Sequence, residues 1–288
     1  MIARGTAATG RAEGNDNLVR SLGDQSVATA LGDRNDVLAD GLAASAETIL
    51  GVGGDSTDSR LRALGTDAQA RAEGTIAAEI RAEGAGANAY AGLGNAKLVI
   101  ARGDRANANS TWRGGAQRTI AIGTDALAGG AQGAAEVVLA RGNRARATIL
   151  FGSGRVYAIG DDAIARPSVG NELTRAVGDR ARAICTAGIC GGDMIAIGDD
   201  ALAELHNANG KVRAEGDHAN ARAVNGNDQR ALARGNHATA LATDGNGNRA
   251  RAKADFATAI AGPGDNNRAT AKAACTVVAS GGSNETCP

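Results

Sequence analysis

A chain of 288 residues is long enough for two ordinary domains, yet 66 alanines, 42 glycines and only 2% aromatic residues leave too little Leu, Ile, Phe and Trp volume for a conventional packed core. Lys plus Arg and Asp plus Glu balance at 31 each, so no net field directs the chain to nucleic acid or an anionic membrane. No run approaches the ~20 apolar residues of a membrane span.

Disorder is disfavoured too: prolines number only three, the formal charge is zero, and apolar residues alternate strictly along short stretches. At the N-terminus, "MIARGTAATGRAEG" contains no apolar secretory region, so a leader is expected to be absent or already removed. Residues 1–53 carry Gly-Asp corners at Gly23 and Gly32 without steady spacing. They are predicted to form irregular coils or a cap.

From residue 54 to residue 274 a period takes over. The glycine of an x-Ala-x-Gly corner recurs as Gly65, Gly84, Gly103, Gly123, Gly142, Gly160, Gly178, Gly198, Gly216 and Gly235, and Ala254 and Ala273 continue the series. Successive members lie about 18–20 residues apart, the spacing of a repeat architecture.

The unit "ALARGNHATALATDGNGNR" (Ala231 to Arg249) shows the grammar. Ala231 and Ala233 alternate with the two-residue period of a strand that buries one face. Gly235 and Asn236 make a corner, since glycine accepts positive φ and Asn can bond its own backbone. Ala238, Ala240 and Ala242 alternate again, and a polar loop returns the chain. The odd spacing from Ala233 to Ala238 sends both methyls inward only if the chain bends between them. Helix is a poor alternative, because interior glycines cost about 1 kcal/mol each relative to alanine and the apolar period is not helical.

Two short strands and a loop in 18–20 residues predict one coil of an all-β parallel β-solenoid with an alanine-rich core. A single coil cannot bury its inner face, whereas stacked coils pair every strand and close the interior. Each inward methyl contributes only about 0.8 kcal/mol, but alanine loses almost no side-chain entropy on ordering.

The four cysteines fall as Cys185 with Cys190 and Cys275 with Cys287. Neither pair has the further Cys or His partners of a zinc site. Two local disulfides are the better reading and imply an oxidising compartment; the alternative is inert thiols in a reducing one. The second bridge is expected to clip residues 275–288 over the last coil as a cap.

Several short motifs have two readings. Asp104, Asn143, Asp161, Asp179, Asp199, Asp217 and Asn236 follow corner glycines and form either a calcium-binding ladder or ordinary turns. The spacing does not fit the calcium nonapeptide repeat, so turns are preferred. His218 and His237 sit at equivalent positions of successive units but lack a third ligand, so stacked imidazoles are favoured over a metal pair. Arg102-Gly103-Asp104 spells an integrin-type tripeptide, yet "ARGN" at the same phase of other units makes it a product of the repeat. Sequons stand at Asn109 and Asn284. No nucleophile–base arrangement or framed phosphate loop is present, so no catalytic residue, cofactor or metal is assigned.

The corners Ala121-Ile122-Gly123 with Ala126 and Ala128, Ala158-Ile159-Gly160 with Ala163 and Ala165, and Ala196-Ile197-Gly198 with Ala201 and Ala203 resemble the head repeats of trimeric autotransporter adhesins. The period here is longer than that family's coil. The resemblance implies a left-handed parallel β-roll that trimerises at a cell surface. The chain is therefore expected to be a non-enzymatic extracellular structural or adhesive solenoid, at a cell surface or in a virion fibre, forming a trimer or filament. It is expected to meet a host or surface ligand, and neither nucleic acid nor a membrane span is anticipated. The alternative is a surface-binding module for ice or polysaccharide. Ala240→Leu should overpack the interior and cost about 1–3 kcal/mol, read as a lower denaturation midpoint.

Overall fold

The computed structural model describes residues 1–14, 16–32, 34–49, 56–73, 75–92, 96, 98–110, 118–130, 137–170, 172–185, 190–207, 209–226, 228–244, 246–253, 256–263, 265–272 and 274–287, the side chains of 56–58 and 75–78 excepted. Ala254, Ala273 and the expected boundary near residue 53 lie outside these residues. The chain forms two units, Met1–Gly142 and Asn143–Pro288. Each unit is a β-solenoid made of two parallel sheets, and among the described residues no helix occurs.

In unit 1, the strands before each corner, such as Thr75–Glu83, Leu98–Arg102, Arg118–Ile122 and Val137–Arg141, pair successively in a first sheet. The strands after each corner, such as Gln69–Glu73, Asn88–Ala91 and Asn107–Ser110, pair in a second. Unit 2 repeats the plan. Asp193–Ile197, Lys211–Glu215, Arg230–Arg234 and Arg249–Lys253 follow one another in its first sheet. Leu202–His206, Asn220–Val224, Thr239–Thr243 and Thr258–Ala261 do so in its second.

The register aligns alanine with alanine. Ala196, Ala214, Ala233, Ala252 and Ala271 stack on the inner side of one sheet. Ala203, Ala221, Ala240 and Ala259 stack on the other. A one-residue slip would turn each row outward. Ala233 and Ala238 are both 0% exposed, so the chain does bend between them. Bulk falls mainly on one inward rank of the first sheet, Val19, Val37, Leu61, Ile80, Val99 and Val138 in unit 1 and Val156, Met194 and Val212 in unit 2, with Ile149 and Leu205 buried in the second sheet of unit 2. In the later coils of unit 2 that rank becomes Ala231, Ala250 and Ala269.

Residues 1–49 share this winding. Their corners are Gly5, Gly23 and Gly41, each donating its amide to the strand end of the next coil. Gly32 belongs to the opposite, return end. Asn17 and Asn35, 18 residues apart, hydrogen-bond to each other there through the Asn17 amide and the Asn35 side chain at 2.9 Å. Each also donates its side-chain amide to a glycine carbonyl three residues back, Gly14 or Gly32. The interleaving of two glycine series hides the regular spacing in the sequence. The next step is longer: Asn35 meets Ser59 across 24 residues.

Each corner is a turn in which the alanine amide donates to the glycine carbonyl three residues back, as in Ala106 to Gly103 at 3.0 Å and Ala219 to Gly216 at 3.2 Å. The glycine itself has positive φ, +132° at Gly103 and +145° at Gly216, and it crosses close over the glycine one coil earlier. A methyl built on Gly216 would overlap the carbonyl of Gly198, and one on Gly103 that of Gly84. Backbone conformation and space therefore demand glycine together.

The corners come in two polarities. After Gly65, Gly84 and Gly103, the third turn residue has left-handed φ (Asp67 +56°, Gly86 +76°, Arg105 +57°), and its amide donates forward to the next coil. After Gly178, Gly198 and Gly216 no such φ occurs, and the equivalent amides of Arg180, Asp200 and His218 donate back to the previous coil. A flip of the middle peptide accounts for the reversal. Gly216→Ala should cost about 1–3 kcal/mol in backbone strain alone, with further loss from the overlap, whereas exposed Asp217→Ala should change stability by no more than about 0.5 kcal/mol. Urea denaturation of the two variants separates these outcomes.

Candidate functional surfaces

The outward-facing positions divide into two sheet faces and a corner ridge. The second residue of each unit 2 corner is exposed: Asn143, Asp161, Asp179, Asp199, Asp217 and Asn236. Their backbone carbonyls accept from the third corner residue of the following coil, as in Arg180 to Asp161 and His237 to Asp217. They serve the turn, and Asn236 Nδ2 also donates to Asp217 Oδ1 at 3.2 Å. Among the described residues no three His, Cys, Asp or Glu side chains are arranged to hold a metal.

The third corner positions of unit 2 form a ladder of matched side chains. Arg180 donates through Nε and Nη2 to both carboxylate oxygens of Asp162 at 2.5 and 2.7 Å. Asp162 is thereby held below the usual carboxylate range, chiefly by the hydrogen bonds from Arg180, and Arg180 is raised by the same contact. One coil beyond Arg180 stands Asp200, whose Oδ1 lies 3.3 Å from His218 Nδ1. The His218 and His237 rings then stack at 4.8 Å, and His237 stacks on Phe256 at 4.8 Å. Phe256 is 61% exposed. The sequence placed the two histidines on one ridge but missed Phe256; its position two residues after Ala254 was the signal. His206 lies elsewhere, on the second sheet, against Glu204 at 2.7 Å.

The two cysteine pairs are disulfides, Cys185–Cys190 with Cα atoms 6.5 Å apart and Cys275–Cys287 with Cα atoms 6.0 Å apart. The first is buried beneath the end of the strand Ile164–Pro167, with Cys190 Sγ 3.1 Å from the Ser168 carbonyl. The second ties down the tail. Thr286 makes a parallel bridge to Thr270, and Asn284 donates its amide to the Asn267 carbonyl at 3.2 Å. The tail thus covers the edge of the strand Ala269–Ala271, whose open ladder would otherwise invite pairing with another chain.

The glycines singled out by sequence, Gly65, Gly84, Gly103, Gly123, Gly142, Gly160, Gly178, Gly198, Gly216 and Gly235, all occupy corners with positive φ. In the tripeptide Arg102-Gly103-Asp104, Arg102 reaches Glu83 at 3.3 Å, and Gly103 sits in the close glycine column. Of the sequons, Asn109 is half-buried on the second sheet and Asn284 is in the exposed tail; Thr111 lies outside the described residues.

The first-sheet face of unit 1 carries an aliphatic strip. Three consecutive strands turn Leu98, Ile120, Ile122, Val137 and Leu139 outward and half-buried, while Val99, Ala121, Val138 and Ala140 fill the interior. No protein-family model, curated protein or solved structure matches the chain.

Two outcomes are expected. The Asp162 carboxylate has a depressed folded-state pKa, so its contribution to stability is present above the ordinary carboxylate value, about 3.9, and is lost as pH falls through the lowered one. Arg180→Gln should remove that acid-side loss, seen as a flatter stability curve below pH 4. Cys275→Ser should cost roughly 3 kcal/mol from the released loop, measured against the parent under oxidising conditions.

Proposed function

We propose that the chain is a non-enzymatic extracellular solenoid with a structural or adhesive role, built to associate with copies of itself as a surface fibre or adhesin-head component. The observation that carries the reading is the uniform coil. In both units the alanine rows, the glycine column and the parallel ladders recur, an economy of design that suits a rigid scaffold presenting outward ranks.

The two disulfides support an oxidising location such as the cell exterior. The resemblance to trimeric autotransporter head repeats supports the same placement. Self-association is assigned to the strip of Leu98, Ile120, Ile122, Val137 and Leu139, because a contiguous aliphatic face rimmed by Arg102, Arg118 and Arg141 has the composition of an association surface.

Light scattering of the purified chain should give a mass above 28.6 kDa, falling to that of one chain in the double variant Ile120→Glu, Leu139→Glu. A parent that stays monomeric at every concentration contradicts the assembly reading.

A further inference from the structure

Several outward arginines in the first sheet are paired with acids that the repeat itself supplies. In unit 1, Arg81 pairs with Glu83 two residues on, and Glu83 also takes Arg102 from the next strand. In unit 2, Arg213 pairs with Glu215, which also takes Arg234 at 3.2 Å. The sequence Arg-Ala-Glu thus supplies one acid for two guanidinium groups.

The next two strands of unit 2 abandon that device. The position of Glu215 is filled by Lys253 in the strand Arg249–Lys253 and by Lys272 immediately after Ala269–Ala271. The start of each strand is basic as well. Lys211, Arg230 and Arg249 are register partners, and Arg268, whose carbonyl accepts from the Ala250 amide at 3.1 Å, extends the rank. With Arg251 in the middle, cations that have no acidic partner among the described residues occupy three outward ranks of one flat face. Among the described residues of these four strands Glu215 is the only acid.

The second sheet of the same coils is different. Its strands Asn220–Val224, Thr239–Thr243 and Thr258–Ala261 carry Arg222 alone, and that arginine is 3.6 Å from Glu204.

Like charges on neighbouring strands oppose folding, and the crowding is felt: Lys253 titrates below the ordinary lysine value, chiefly because of Arg251. The face also has relief. Arg230, Arg249, Arg251, Arg268 and Lys272 surround a recess, and Thr286 of the disulfide-tied tail forms one wall.

The dimensions narrow the occupant. Cations in one rank recur at the strand spacing of about 4.8 Å, comparable to the advance of one sugar along an extended polysaccharide. A guanidinium fork matches a carboxylate through two parallel hydrogen bonds. The described residues of the face include no aromatic ring on which a base would stack, and a flat sheet does not enter a duplex groove. Leu232 is its one large outward apolar side chain, too little for insertion among lipid headgroups.

We propose that this face of unit 2 binds a linear acidic polysaccharide carrying one carboxylate per sugar, with Arg230, Arg249 and Arg268, which form one rank, taking successive carboxylates and Arg251 lying beside them. The site rests on the adhesive part of the functional reading and uses a face distinct from the aliphatic strip, so a monomeric chain still binds if self-association fails.

The test measures binding of the full chain to polygalacturonate, neutral dextran, duplex DNA and phosphatidylglycerol vesicles. Polygalacturonate should bind best, with affinity falling as salt is raised. The triple variant Arg230→Gln, Arg249→Gln, Arg268→Gln should lose at least about tenfold, as expected for charge-assisted contacts, while Arg71→Gln with Arg222→Gln should not. Denaturation midpoints verify that each variant is folded, and the single variant Arg249→Gln replaces any that is not. No binding, or equal binding by the triple variant, overturns the site. Tighter binding of DNA or vesicles than of polygalacturonate overturns the polysaccharide assignment.

Discussion

Everything in this fold depends on how closely successive coils can approach at their corners. At the corners from Gly23 to Gly142 and from Gly178 to Gly235, a Cβ would overlap the carbonyl of the glycine one coil earlier, leaving no room for a side chain. That contact fixes the stacking of corners, and the stacking fixes the register of both sheets. With register fixed, alanine rows face inward on both sides of the bend, and an interior built largely from methyl groups can close. A larger side chain placed in one of those alanine rows would overpack the interior.

The same constraint explains the distribution of function. An interior filled largely by alanine methyls leaves the outward ranks and the corner ridge to present varied side chains. There each side chain has a counterpart one coil away, and residues remote in sequence form continuous ladders: Asp162 with Arg180, His218 with His237 and Phe256, Lys211 with Arg230 and Arg249. A solenoid can thus change character along its length without altering its core. The aliphatic strip around Ile120 and the cationic face around Arg251 are two such changes.

Much of this was legible in the sequence because the repeat writes the same local constraint many times. Alternating alanines gave the strands, and the odd interval from Ala233 to Ala238 required the bend. Coils were expected in residues 1–53, but the even spacing of the first ones was not legible, since Gly14 and Gly32 at the return end interleave with Gly5, Gly23 and Gly41 at the corners, and the two series look like one irregular one. The peptide flip behind Arg105 was also hidden, because nothing in Arg-Gly-Asp-Arg distinguishes its turn from Gly-Asp-Asp or Gly-Asp-His elsewhere. Charge pairing was obscured by distance: Asp162 and Arg180 lie 18 residues apart and meet only when coils stack. The loss of the acid after Arg251 becomes meaningful only beside Glu215 on the neighbouring strand.

The most direct test of the account is nuclear magnetic resonance on alanine-methyl-labelled protein. Methyls of Ala221 and Ala240, and of Ala214 and Ala233, should show through-space contacts across 19 positions, as their pairing requires, and should resist broadening by a soluble paramagnetic agent. Contacts confined to neighbours three or four residues away, or broadening equal to that of exposed residues, would contradict it.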